Sequence, residues 1–292
     1  MTNVPLPVQH GVTKLLGSSS SLLKFLPVGG GCINHGGKLI TSTGTFFLKW
    51  NDAHRYPGMF AQEAKGLNLL RSTRTICIPA VIGLGEEESF QFLILEFIEQ
   101  GSRSNSYWKD FGSQMALLHS NRVEWAGLNH NNYIGSLTQT NLVKSTWLDF
   151  FIHERLVIQL DLADSRSLIP APVRQNFEKL FIKLPSLLPV EASSLLHGDL
   201  WSGNLITSHE GAPCLIDPAV YYGNREVDLA MTQLFGGFDS RYLDSYHEAL
   251  PLLPGYEERF DIYNLYPLLV HVNLFGQGYL AQVNSILTRY VS

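Results

Sequence analysis

The sequence predicts a two-lobed α+β protein, with a small β-rich lobe over residues 1–100 and a larger helical lobe over 101–292. Three observations carry that expectation. Extended, glycine-punctuated segments dominate the first hundred residues, apolar spacing switches to three and four after Gly101, and one short β island interrupts the helices near 205–216. Alternation reads as strand and 3–4 spacing as helix because those periods place apolar side chains on one face.

Residues 21–28 are extended and run into Gly29, Gly30 and Gly31, and a second extended piece covers 34–41. Gly44 turns the chain into a third strand at 45–50. Residues 58–71 are helical, since Phe60, Ala64, Leu67 and Leu70 share a face. The β-branched and aromatic stretches 79–84 and 90–97 return to strand. Beyond residue 100, helices are expected over 106–118, 145–163 and 172–184. The island follows as 205–207, a turn at Glu210 and Gly211, and 214–216. Helices resume from Glu226, continue over 239–250 and fill the tail from 257 to 290, with a break expected at Pro267.

Bulk properties exclude several classes. The 292 residues are 45% hydrophobic and 16% charged, which supports a packed core and excludes a disordered chain. A formal charge of -5 lacks the basic face that a general nucleic-acid binder needs, so no nucleic-acid partner is expected. No apolar run spans a bilayer, and the first residues lack a basic start and an apolar core, so neither a membrane partner nor a signal peptide is expected. Cys32, Cys77 and Cys214 are odd in number and far apart in sequence, without zinc-ligand spacing. The expectation is a cytoplasmic protein in a reducing compartment, with neither a disulfide framework nor a zinc site.

Residues 197–204 read His-Gly-Asp-Leu-Trp-Ser-Gly-Asn, and Asp217 closes an apolar strand thirteen residues after Asn204. Phosphoryl transfer needs a carboxylate beside the acceptor hydroxyl and oxygen ligands for magnesium on the nucleotide phosphates. Asp199 suits the first role, and Asn204 and Asp217 suit the second, because magnesium takes oxygen ligands. Each alone reads equally as a turn cap or strand end; the string as a whole is what points to ATP and Mg2+. Lys49 lies on a strand and Glu63 on the following helix, an order that suits a phosphate-positioning ion pair. Gly30 and Gly31 suit a backbone hairpin over phosphates, although they do not form the usual Gly-rich pattern. Glu96, Phe97 and Ile98 end the last strand before the lobe change, the place of an adenine-binding hinge; an ordinary edge glutamate is the competing reading.

This loop, taken with Ile216 to Ala219, Arg225 to Ala230 and 234–238, closely resembles the fructosamine kinase (ketosamine-3-kinase) family. The resemblance extends to 29–35, 132–135 and 263–276, and so over nearly the whole chain. That family lies in the aminoglycoside phosphotransferase and choline kinase branch of the protein-kinase-like fold. The resemblance implies a nucleotide-binding first lobe, a catalytic and substrate-binding second lobe, and ATP-dependent phosphorylation of the C3 hydroxyl of a ketosamine. The unstable 3-phosphate then breaks down and frees the amine, so the implied outcome is deglycation of a small ketosamine or a glycated protein lysine.

Carried onto this chain, the resemblance implies Asp199 as base, Asn204 and Asp217 as metal ligands, and Lys49 with Glu63 as the phosphate-positioning pair. Trp201 is the distinctive addition, assigned to the sugar-amine pocket, with a packing tryptophan as the competing reading. Asp228 is read as a brace for the loop, while Arg225 and Glu226 stay open. Cys32 falls in the proposed phosphate-covering loop, where a thiol near cationic groups ionises more readily, so reversible oxidation at Cys32 is expected. The resemblance allows a Cys32-linked homodimer beside a monomer; a small buried residue in a tight hairpin is the alternative. The competing functions are a kinase of the same fold for an aminoglycoside or choline-like alcohol, and a nucleotide-binding pseudokinase module.

Overall fold

The computed structural model describes residues 4–17, 20–28 and 34–291. It separates into two compact units: residues 1–107 with 203–218, and residues 108–202 with 219–292. The β island at 203–218 thus joins the first unit, whereas a partition at residue 100 placed it with the helices.

The first unit is built on one antiparallel sheet. Helix α1 (Leu6–Leu16) precedes strands β1 (Leu22–Pro27), β2 (His35–Thr41) and β3 (Thr45–Asp52); helix α2 (Met59–Ser72) follows, then β4 (Val81–Glu87) and β5 (Phe90–Glu96). The sheet order is β1-β2-β3-β5-β4. Antiparallel neighbours joined by short connections need no crossover helix, which is why this topology follows directly from hairpin-type sequence. The sequence pattern did not disclose α1. Val8 and Val12 on its apolar face, both at 0% exposure, join Phe25, Leu39, Leu48 and Phe92 in the core. Gly11 allows the approach: a Cβ there would lie 2.4 Å from the Phe92 ring.

The β island forms the hairpin Leu205–Thr207 and Pro213–Leu215. It is tied to the first unit by backbone contacts at both ends. Leu215 N–H donates to Cys77 O at 2.9 Å, and Gly101 N–H donates to Thr207 O at 3.3 Å. Those bonds satisfy edge groups that would otherwise be stranded.

The second unit is largely helical. It contains Tyr107–His119 (all but its first residue), Ala171–Leu187, Glu226–Leu234, Arg241–Ala249, Tyr256–Phe275 and Leu280–Val291. The helix expected at 145–163 is continuous but changes winding, passing from Trp147–Phe150 through a π-helical stretch, Phe151–Val157, to Ile158–Ser165. A small sheet in the order Tyr221–Gly223, Ser193–Leu196, Arg122–Val123 and a hairpin, Asn132–Ile134 with Leu137–Gln139, complete it. These strands of two to four residues carry too little periodicity to be read in advance.

The expected break at Pro267 does not occur. The helix Tyr256–Phe275 runs through it and ends at Gly276, whose φ of +91° suits glycine. An interior proline costs about 3 kcal/mol. Every residue from Ile262 to Val270 is buried, and burial of each large apolar side chain returns about 1.5–3 kcal/mol. Packing wins over local propensity here. Among the described residues no helix is long and apolar enough to cross a membrane.

Candidate active site

In the second unit, strand Ser193–Leu196 delivers the chain into the loop that carries Asp199. Gly198 has φ +81°, and a Cβ there would lie 2.1 Å from Ala219 O, so no other residue fits without moving backbone. Asp228 holds this turn. Its Oδ2 accepts from His197 N–H at 2.7 Å, and its Oδ1 accepts from Gly198 N–H at 2.9 Å. His119 Nε2 lies 3.2 Å from Asp228 Oδ2, and His119 Nδ1 pairs with the Tyr246 hydroxyl at 2.8 Å. Asp228 and His119 are wholly buried. Burial pushes the Asp228 carboxyl up, but the His119 hydrogen bond, the charges of His119 and His197, and the Gly198 N–H together hold it below the ordinary range. The carboxylate, held by these hydrogen bonds, braces the backbone of the loop.

Within the loop, Leu200 is fully buried and acts as an anchor, with half-buried Asp199 before it. Trp201 after it is 38% exposed. Its N–H donates to Asp199 O at 3.1 Å. More than a third of Trp201 is thus open to solvent.

In the first unit, Asn204 and Asp217 stand at matching ends of the β hairpin. Ile216 N–H donates to Asn204 O at 3.1 Å, and Asn204 Nδ2 donates to Asp217 O at 3.4 Å. Asp217 has φ +54°, a strained conformation for a residue with a Cβ, and strain of this kind collects at functional positions. Lys49, on β3 and 6% exposed, lies between two carboxylates: its Nζ is 2.8 Å from Glu63 Oε1 on α2 and 2.5 Å from Asp217 Oδ1. Burial lowers the Lys49 pKa, yet Asp217 and Glu63 outweigh it and leave the ammonium charged well beyond neutral pH. Burial pushes the Glu63 carboxyl up, opposed by Lys49.

Asn204 and Asp217 offer only oxygen donors towards a cation, and among the described residues no three His, Cys, Asp or Glu side chains cluster as a closed metal cage. That donor set fits magnesium, which takes one or two protein oxygens and completes its shell with phosphates and waters.

The end of β5 is partly committed. Glu96 N–H donates to Ala80 O at 2.8 Å, and its exposed carboxylate accepts from Ala80 N–H at 3.0 Å. Phe97 lies under Lys38 Nζ, 4.3 Å from the ring centroid. The Glu96 N–H is therefore already spent on Ala80. Gly30, Gly31 and Cys32 lie outside the described residues.

Sequence reasoning missed a buried polar network in the second unit. Arg155, at 0% exposure, donates to Thr140 O at 2.6 Å and Asn141 Oδ1 at 2.7 Å. Its guanidinium carbon lies 3.9 Å from the Tyr221 ring centroid. Asn141 and Gln139 both donate to Asn132 Oδ1, and Asn132 Nδ2 donates to Val220 O at 2.8 Å. Gln139 Nε2 also reaches Ala219 O, and Ala219 N–H donates to His197 O. The network therefore ends on the backbone beside the Asp199 loop. The signal was present as amides and an arginine set among apolar residues, but which of them would meet was not.

A model of the fructosamine kinase family matches residues 7–292. A chloroplastic protein-ribulosamine 3-kinase of Arabidopsis thaliana is 37% identical over 94% of this chain and 85% of its own length. A crystal structure from Thermobifida fusca assigned to the fructosamine-3-kinases superposes with a TM-score of 0.87 at 30% identity, covering 97% of this chain and 98% of that one. An apo aminoglycoside phosphotransferase superposes with a TM-score of 0.60 at 15% identity, over 96% of this chain and 98% of its own, a likeness of fold alone.

Proposed function

This chain belongs to the fructosamine kinase family, and from that premise we propose that it transfers the γ-phosphoryl group of ATP to the C3 hydroxyl of ketosamines. The observation that carries the reading is the charged pair Lys49 and Glu63 with Asp217 on the same lysine, in a chain that matches the family from residue 7 to its end. A ribulosamine 3-kinase at 37% identity supports the C3 hydroxyl as acceptor.

In this reading Asp199 accepts the proton of the C3 hydroxyl as its oxygen attacks phosphorus. Lys49 neutralises the nucleotide phosphates, and Glu63 keeps the ammonium aimed at them. Asn204 and Asp217 would hold magnesium, which would supply charge neutralisation at the phosphate oxygens. Residues 96–98 take adenine, and Gly30 and Gly31 cover the phosphates. Trp201 receives the sugar C–H face and the neighbouring cationic amine. Asp228 keeps the His197 and Gly198 backbone, and through it Asp199, in register. The product is a 3-phosphate whose breakdown releases the amine, so the cellular outcome is deglycation in the cytoplasm, of free ketosamines or of glycated lysines.

The test is magnesium-ATP turnover on fructose-, ribulose- and erythrulose-amines beside choline and an aminoglycoside. Turnover on ketosamines that falls about 10²- to 10⁴-fold in Asp199→Asn is expected. Activity confined to choline or the aminoglycoside would overturn the substrate assignment, and turnover unchanged in Asp199→Asn would overturn the base.

A further inference from the structure

Two of the three cysteines, distant in sequence, meet in the first unit. Cys77 and Cys214 are 137 residues apart, yet their Sγ atoms lie 2.7 Å from one another. The backbones are registered as well: the two residues form an isolated parallel β-bridge, and Leu215 N–H donates to Cys77 O at 2.9 Å. Strands so paired run about 4.8 Å apart, inside the Cα separation of about 4.4–6.8 Å that a disulfide spans. Closing the sulfurs to a bond of about 2.05 Å therefore needs side-chain motion rather than a new backbone path.

We propose that Cys77 and Cys214 are an oxidation site that closes to a reversible intramolecular disulfide. The two thiols differ in access. Cys77 is half-buried, while Cys214 is buried. Cys77, the more accessible of the two, is the attacking thiolate, and the hydrogen bond with Cys214 pulls its thiol down against the effect of burial. With hydrogen peroxide as oxidant, the Cys77 thiolate attacks one peroxide oxygen and the O–O bond breaks. Water leaves after protonation, and Cys77 becomes a sulfenic acid. The Cys214 sulfur then displaces that hydroxyl as a second water, forming the S–S bond. Two thiols and one peroxide give one disulfide and two waters. A dithiol reductant reverses the step and is itself oxidised. The bond would cross-link the 73–80 segment to strand Pro213–Leu215, two residues before Asp217.

The experiment is peroxide titration of the Cys32→Ala protein, which leaves only these two thiols, followed by thiol counting and peptide mapping. Both thiols are expected to disappear together with one equivalent of peroxide, to yield a Cys77–Cys214 linked peptide, and to return with dithiothreitol. The closed loop is long, so the oxidised protein is also expected to unfold at a temperature several degrees higher. Cys77→Ser should leave the Cys214 thiol unreacted; where that variant fails to fold, Cys214→Ala should carry Cys77 on to sulfinic acid instead. If peroxide leaves both wild-type thiols titratable, or takes Cys77 to sulfinic acid with Cys214 still free, the proposal is wrong.

Discussion

Asp228→Asn isolates what holds the Asp199 loop. The wild-type carboxylate spends one oxygen on Gly198 N–H and the other on His197 N–H and His119, all away from solvent. An asparagine keeps one acceptor oxygen and turns an NH2 towards a donor. A hydrogen bond to a charged group is worth about 1.5–3 kcal/mol, and a buried donor left unpaired costs about 1–3 kcal/mol. Together these predict a loss of about 3–5 kcal/mol, a large part of the ~5–15 kcal/mol that holds a typical domain folded. Urea unfolding at pH 7 measures that loss, and ketosamine turnover reads the displaced loop as a fall in kcat with KM for ATP nearly unchanged. The pH dependence follows the same group. Its folded pKa is depressed, so it stabilises the protein above its unfolded pKa of about 3.9, and that stability is lost as pH falls through the folded value. The variant should lack this acid limb. An Asp228→Asn protein within ~1 kcal/mol of wild type, with unaltered kcat, would refute the bracing argument.

Other perturbations separate the remaining roles. Trp201→Ala should raise KM for the ketosamine about 5- to 30-fold, from a loss of ~1–2 kcal/mol of aromatic contact with a cationic amine; a changed melting temperature with unchanged KM would return Trp201 to packing. Lys49→Met leaves Glu63 buried without its cation, at a cost of about 3–5 kcal/mol near neutral pH. Since burial raises the Glu63 pKa, that cost should shrink as pH falls and the carboxyl protonates, and equal losses at pH 5 and pH 8 in chemical unfolding would count against the pairing. Arg155→Lys keeps the charge but loses the planar fork between Thr140 O and Asn141 and the stack on Tyr221. A loss of about 2–4 kcal/mol in the unfolding free energy is expected, and an unmoved urea midpoint would show the network to be idle.

By itself the sequence determined the elements whose signal is local. The extended, glycine-punctuated and aromatic runs of β2, β3 and β5 and the 3–4 spacing of α2 disclosed the first unit's sheet and helix, because these signals lie within a few residues of one another. The residues from His197 to Asn204 and Asp217 disclosed the family, whose model matches residues 7–292. Contacts between distant segments were out of reach. Helix α1 is fixed by its contacts with the sheet core, and the helix through Pro267 survives because burial along 262–270 exceeds the proline's cost. Only the folded chain could bring Asp217 to Lys49, Arg155 to Tyr221, or Cys77 to Cys214. Pairings across a hundred residues are decided by the packing of whole elements, which no local window records.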